Sequence, residues 1–123
     1  MTHPNPFGPK GWTPERVGDL SGKSIVITDA NAGAGYEATR ILLSKGASVI
    51  MPNRSVPKSE AAIARLKQEF GTTVDVRFIQ MDLADLASVR TAADQVLAEV
   101  PQIDVLIENA AIAQVATRLF TKD

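Results

Sequence analysis

The chain has 123 residues, 45% of them hydrophobic and 22% charged, with a formal net charge of −1 and no cysteine. Such a composition fits one ordinary globular domain. The near-neutral charge leaves no electrostatic footprint for nucleic acid or an anionic membrane, and the lack of cysteine excludes disulfides, thiolate metal sites and a cysteine nucleophile.

Residues 1–22 are rich in proline and glycine and are predicted to form an extended N-terminal arm, ahead of a single domain over 23–123. Thr13-Pro14-Glu15 combines an N-cap residue with proline at a first helical position, so one short turn is expected there. Trp12, Val17 and Leu20 are expected to dock the arm onto the body. His3, the single histidine, sits in the loosest part of the arm without partners and is assigned neither a catalytic nor a metal role. No apolar run reaches membrane-spanning length, and the start lacks the basic-then-apolar layout of a signal peptide. The sequence is read as soluble and cytoplasmic.

From Lys23 onward strands and helices alternate. Strand one is predicted over Ser24–Thr28, helix one over about Ala34–Lys45 closed by Gly46, and strand two over Ala47–Met51. Helix two covers about Lys58–Phe70, with Ala62, Leu66 and Phe70 on one face and Gly71 as its stop. Strand three is Val74–Gln80. Helix three starts near Asp85 and carries Leu86, Val89, Ala93, Val96, Leu97 and Val100 at helical spacing until Pro101 ends it. Strand four is Asp104–Ile107, and a short helix is predicted around Val115–Phe120. Strands one, two and four are apolar runs with little alternation, as expected for strands covered on both faces. Short connections between alternating strands and helices imply right-handed crossovers and a parallel sheet. The fold class is therefore α/β, a doubly wound, Rossmann-like parallel sheet, here truncated after about four strands.

The stretch Ser24–Gly35, SIVITDANAGAG, is a strand running into a glycine-containing loop at the mouth of a helix. That arrangement lets a phosphate approach the backbone and meet the free amides and positive end of the helix. Arg54, just after strand two, stands where an acidic residue would bind a ribose 2′-hydroxyl; an arginine there favours a 2′-phosphate, hence NADP, although a solvated surface role is the competing reading. Asp82 either serves the ligand or orients the turn into helix three. Tyr36, with Arg40 four residues on, reads as helix packing.

The run Thr28-Asp29-Ala30-Asn31-Ala32-Gly33-Ala34-Gly35 resembles the T-G-x-x-x-G-x-G cofactor loop of the short-chain dehydrogenase/reductase family, with Asp29 in place of the first glycine. Asp82-Leu83 matches the family's Asp-Leu pair, and Glu108-Asn109-Ala110-Ala111 stands where the family has N-N-A-G. DLSGK before strand one and GYEATR after the loop are most similar to the retinol-dehydrogenase-like and protochlorophyllide-reductase-like branch. The resemblance runs from Leu20 to about Asp123. It implies a cofactor site made by Thr28, Asn31, Gly33, Ala34, Gly35, Asn53, Arg54, Asp82, Leu83, Asn109 and Ala110, with Asp82 on the adenine amino group and Asn109 steadying the central strands.

The family's catalytic serine, Tyr-x-x-x-Lys pair and helix asparagine lie beyond the N-N-A-G motif, and after Ala111 this sequence has no serine, tyrosine or histidine and only Lys122 as a lysine. No catalytic residue is therefore assigned, and the chain alone is expected to be inactive. Two functions follow. One is the NADP-binding half of an oxidoreductase acting on an alcohol or a carbonyl; the other is a catalytically dead binding or dimerisation module with weakened cofactor binding. The second draws on the departures at Asp29, Glu108 and Ala111; the Asp29 carboxylate would repel a pyrophosphate unless Arg54 neutralised it. Either way the exposed edge of strand four predicts a two-fold homodimer.

Overall fold

The structure, a computed structural model, describes residues 6–111 and 120–122. Four strands form one parallel sheet in the order β3-β2-β1-β4. They are β1 (Ser24–Ile27), β2 (Ser48–Asn53), β3 (Val76–Gln80) and β4 (Val105–Ile107), and the helices between them are α1 (Gly33–Ser44), α2 (Val56–Phe70) and α3 (Leu86–Glu99). The direction of winding reverses between β1 and β4, the place where doubly wound sheets open a ligand crevice. In register, Ile25 lies between Val49 and Val105, and Val26 between Ile50 and Leu106.

Side chains alternate across the sheet, and each face has its own core. Ile25, Ile27, Val49 and Met51 pack with Leu43 of α1 and Ala62 and Leu66 of α2. Val26, Ile50 and Ile79 face the other way and pack with Ala92, Val96 and Val100 at α3. With both faces covered, β1 and β2 are almost wholly buried, which is why their sequences lack a polar alternation.

Several boundaries differ from those predicted. Helix α2 begins at Val56, because the Ser55 hydroxyl accepts the Lys58 N–H and Pro57 is tolerated in a first turn. Strand β2 continues through Pro52 to Asn53, while β3 starts only at Val76, since the Val74 N–H turns back to Gly71 O. The predicted short turn occurs at Pro14–Arg16. Trp12, expected to dock the arm, is 54% exposed; Leu20 does the docking, packing on the core and donating its N–H to Lys45 O at 2.8 Å.

Two further expectations are corrected. Of the predicted α3 stripe, Leu97 is 67% exposed and Ala93 is also exposed, whereas Ala92 is buried. Strand β4 is not covered on both faces, for Val105 and Leu106 are 45% and 56% exposed. The cause is shared: β4 is an edge strand, and among the described residues no element lies over the apolar groove of about 320 Å³ lined by Leu97, Ile103, Leu106 and Leu83. The helix predicted around Val115–Phe120 and the assignment for His3 lie outside the described residues, apart from exposed Phe120. Backbone bonds join Lys122 to Ala84 and Leu86, flanking the start of α3.

Candidate functional site

The loop from β1 into α1 carries two glycines that are needed for different reasons. Gly33 has φ 60°, a left-handed value, and a Cβ there would meet nothing within 4 Å. Its requirement is conformational, and the space before it is open. A Cβ on Gly35 would sit 2.6 Å from Asn109 Nδ2 and 2.7 Å from Asp29 O, so its requirement is steric. At the cap position of α1, Ala32 offers no side-chain acceptor. The amides of the first turn therefore lack a side-chain cap, as suits a helix end that receives an anion.

Asp29 also lies in the left-handed region, at φ 55°. Aspartate is among the few side chains that tolerate it, so the turn keeps the shape a glycine would give while adding an exposed carboxylate. Among the described residues no ion pair joins it to Arg54, so the neutralisation that would lift its repulsion of a pyrophosphate is not made by an ion pair.

The loop is tied to β4 and β2. The Thr28 hydroxyl accepts the N–H groups of both Asn109 and Ala110 at 3.0 Å. Asn109 Nδ2 donates to Asp29 O at 3.2 Å. On the other side, the Ala30 N–H donates to Asn53 Oδ1 at 3.0 Å. Thr28, Asn53 and Asn109, all placed on the cofactor from sequence, thus spend much of their bonding capacity inside the protein.

A small cleft of about 130 Å³ opens at the C-terminal ends of the strands, lined by Asp29, Asn53, Arg54, Asp82, Leu83 and Ala110, among others. It brings together five of the eleven predicted positions with Asp29; Asn31, Gly33, Ala34 and Gly35 form the adjoining loop and helix start, and Thr28 and Asn109 support it from below. Arg54 is exposed. Asp82 does orient the next turn, since Oδ1 accepts the Ala84 N–H at 2.9 Å and its own N–H donates to Ser88 Oγ at 2.9 Å. Sequence reasoning missed Ser59, which is fully buried and bonded to Asn53; a lone serine at helical spacing from the cap Ser55 gives no visible signal.

Tyr36 is kept out of this site. It is 5% exposed, and the Arg65 guanidinium lies over its ring at 4.4 Å from the centroid. Arg40 pairs with Glu37 at 2.7 Å and Glu69 at 2.5 Å, bracing α1 on α2. The hydrogen bond from Arg40 holds Glu69 below the usual carboxylate range. Among the described residues no cluster of histidine, aspartate or glutamate could hold a metal ion, and no helix is long and apolar enough to cross a membrane.

Comparison with known proteins gives a consistent result. A family model described as short chain dehydrogenase matches residues 23–123. A short-chain dehydrogenase/reductase of Armillaria gallica is 38% identical over 94% of this chain and 37% of its own length. Mouse retinol dehydrogenase 14 is 37% identical over 85% of this chain and 35% of its own. Among solved structures, an uncharacterised protein from Mycobacterium paratuberculosis is 38% identical with a TM-score of 0.75, covering 90% of this chain and 37% of that one. The L-sorbose reductase of Gluconobacter frateurii, solved with NADPH and L-sorbose, is 28% identical with a TM-score of 0.71, covering 80% of this chain and 37% of that one. The chain spans little more than a third of the length of these relatives.

Proposed function

The chain belongs to the short-chain dehydrogenase family, and from that premise we propose that it forms the NADP-binding part of an oxidoreductase that interconverts an alcohol and a carbonyl. The reading is carried by one observation: Arg54, Asp82, Leu83 and Ala110 share a cleft beside a helix start without a side-chain cap. In this reading exposed Arg54 meets the ribose 2′-phosphate, Asp82 and Leu83 flank the adenine, and the first amides of α1 receive the pyrophosphate. Asn109 and Thr28 hold the turn that presents those amides. When bound, the dinucleotide supplies or accepts a hydride. No residue of this chain is assigned the accompanying proton transfer.

Asp29 favours a second reading, a binding or dimerisation module with weakened affinity for the cofactor. Two unit charges about 4 Å apart interact by roughly 1 kcal/mol in water and about 4 kcal/mol at a protein-surface dielectric. Calorimetric titration of the chain and of Asp29→Gly with NADPH separates the two. We expect the unmodified chain to bind, and the glycine variant to bind about fivefold tighter or better, from roughly 1 kcal/mol of relieved repulsion. Binding by Asp29→Gly alone would establish the module reading, and binding by neither would remove NADP from both.

A further inference from the structure

Asn53 ends β2 with its side chain turned inward and only 3% of the residue exposed. Its Oδ1 accepts the Ala30 N–H at 3.0 Å, and its Nδ2 donates to Ser59 Oγ at 3.1 Å. The Ser59 hydroxyl proton is already committed, donating to Ser55 O at 2.7 Å one helical turn back. Only a lone pair is therefore left for Asn53, which fixes which end of that amide is donor and which is acceptor. Ser59 and Ala30 are both fully buried, so water cannot replace either partner.

The bond to Ala30 gains meaning from its counterpart. The N–H of Ala30 and the carbonyl of Asp29 belong to the same peptide group, and Asn109 Nδ2 holds that carbonyl at 3.2 Å. One peptide unit is thus gripped at both poles, by an asparagine from β2 and an asparagine from β4. It is the unit that follows Asp29, the one residue besides glycine with a left-handed φ among the described residues. Even a tolerated side chain costs more than glycine in this region, so the peptide after Asp29 is where a rotation would relieve the turn.

We propose that Asn53 and Ser59 are positioning residues of the dinucleotide site. Ser59 orients the Asn53 amide, and Asn53 locks the Asp29–Ala30 peptide against rotation. The first amides of α1 then keep a constant aim. The proposal rests on the NADP reading for its ligand, but the lock itself exists without ligand and is measurable without it.

The experiment uses the full chain, with Ser59→Ala and Asn53→Asp as variants. Ser59→Ala removes one oxygen; Asn53→Asp keeps the shape but sets an acceptor against the Ser59 lone pair. Backbone amide exchange is followed by NMR without ligand. NADPH binding is then compared with that of adenosine 2′-phosphate, which carries the adenosine and 2′-phosphate but no pyrophosphate. In Ser59→Ala the Ala30 amide should exchange about tenfold faster, with Val26 and Ile27 unchanged. Affinity for NADPH should fall by about tenfold in the same variant, with adenosine 2′-phosphate affected less than about twofold. An unchanged Ala30 exchange rate overturns the lock. Faster Ala30 exchange with equal weakening of both ligands, or of neither, overturns the positioning role. If the unmodified chain binds neither ligand while Ala30 exchange still responds, the NADP reading and the positioning role fall and the lock stands. Should Asn53→Asp fail to fold, Ser59→Ala decides alone.

Discussion

Gly35 stands at the tightest point of the molecule, where the start of α1 passes within contact distance of both Asn109 and the backbone of Asp29. Gly35→Ala would force a methyl into space bounded on two sides by atoms at 2.6 and 2.7 Å, one of them main chain. Overpacking of this kind costs about 1–3 kcal/mol or more, so chemical denaturation should show a loss of at least that size. Gly33→Ala meets no atom and suffers only from its left-handed φ, a cost of about 1–2 kcal/mol. The two variants should also part in function: at Gly35 the Asn109 bond to Asp29 O is broken, while at Gly33 it is kept. Asp29 offers the reverse case, since glycine there relieves both backbone and charge.

At the scale of elements, α2 and α3 are started by side-chain caps that the sequence shows plainly only in part. Asp85 accepts the N–H groups of Ala87 and Ser88, and Ser55 accepts that of Lys58. Replacing either by alanine should lower stability by about 1 kcal/mol in denaturant titrations. The sequence placed α3 well because an aspartate opens a periodic run, yet started α2 two residues late, at Lys58, although Ser55 caps the helix and Pro57 sits in its first turn. The positions expected after β2 and β3 were legible as matches to a family pattern and not as strand ends, because β2 runs on to Asn53 where it was predicted to stop at Met51. The inward turn of Asn53 was not, for it depends on Ser59, which only tertiary packing brings beneath it. Between β1 and β4, Asp104 Oδ2 accepts the Ser24 N–H at 2.8 Å, and this bond above all holds the Asp104 carboxyl below its usual range. A lowered native value means that the unfolded chain takes up the proton first as pH falls. The contribution is present above the unfolded value and is lost as pH drops through the folded one. Asp104→Asn should therefore lower stability in the neutral region and flatten the acid limb of a stability-versus-pH curve, the two curves converging once pH has dropped through the folded value.

For the whole molecule, the doubly wound class followed from alternation of elements, and the sheet order bears it out. The asymmetry of its cover did not follow from the sequence. Leu97 and Leu106 carry the same apolar signal as buried leucines, and nothing local tells that no described element lies above them. An edge strand beside an open apolar groove favours association with a second copy. Light scattering at micromolar concentration is expected to report a dimer, and Leu106→Lys to shift it toward monomer by placing a charge on the edge. A monomer at all concentrations would refute this.

The seam between β1 and β4 also dictates an order of events. Strands β1, β2 and β3 meet through short crossovers, whereas Thr28 reaches Asn109 and Ala110 across 81 and 82 residues. Closing so long a span is entropically the later step in folding, after local units have formed. The β1–α1 turn draws one of its two anchors from that seam, so it should acquire its final shape among the last parts of the chain. In a refolding time course, protection of Ile25 and Val49 should precede protection of Asn109, and the ability to bind a dinucleotide should emerge with the later phase.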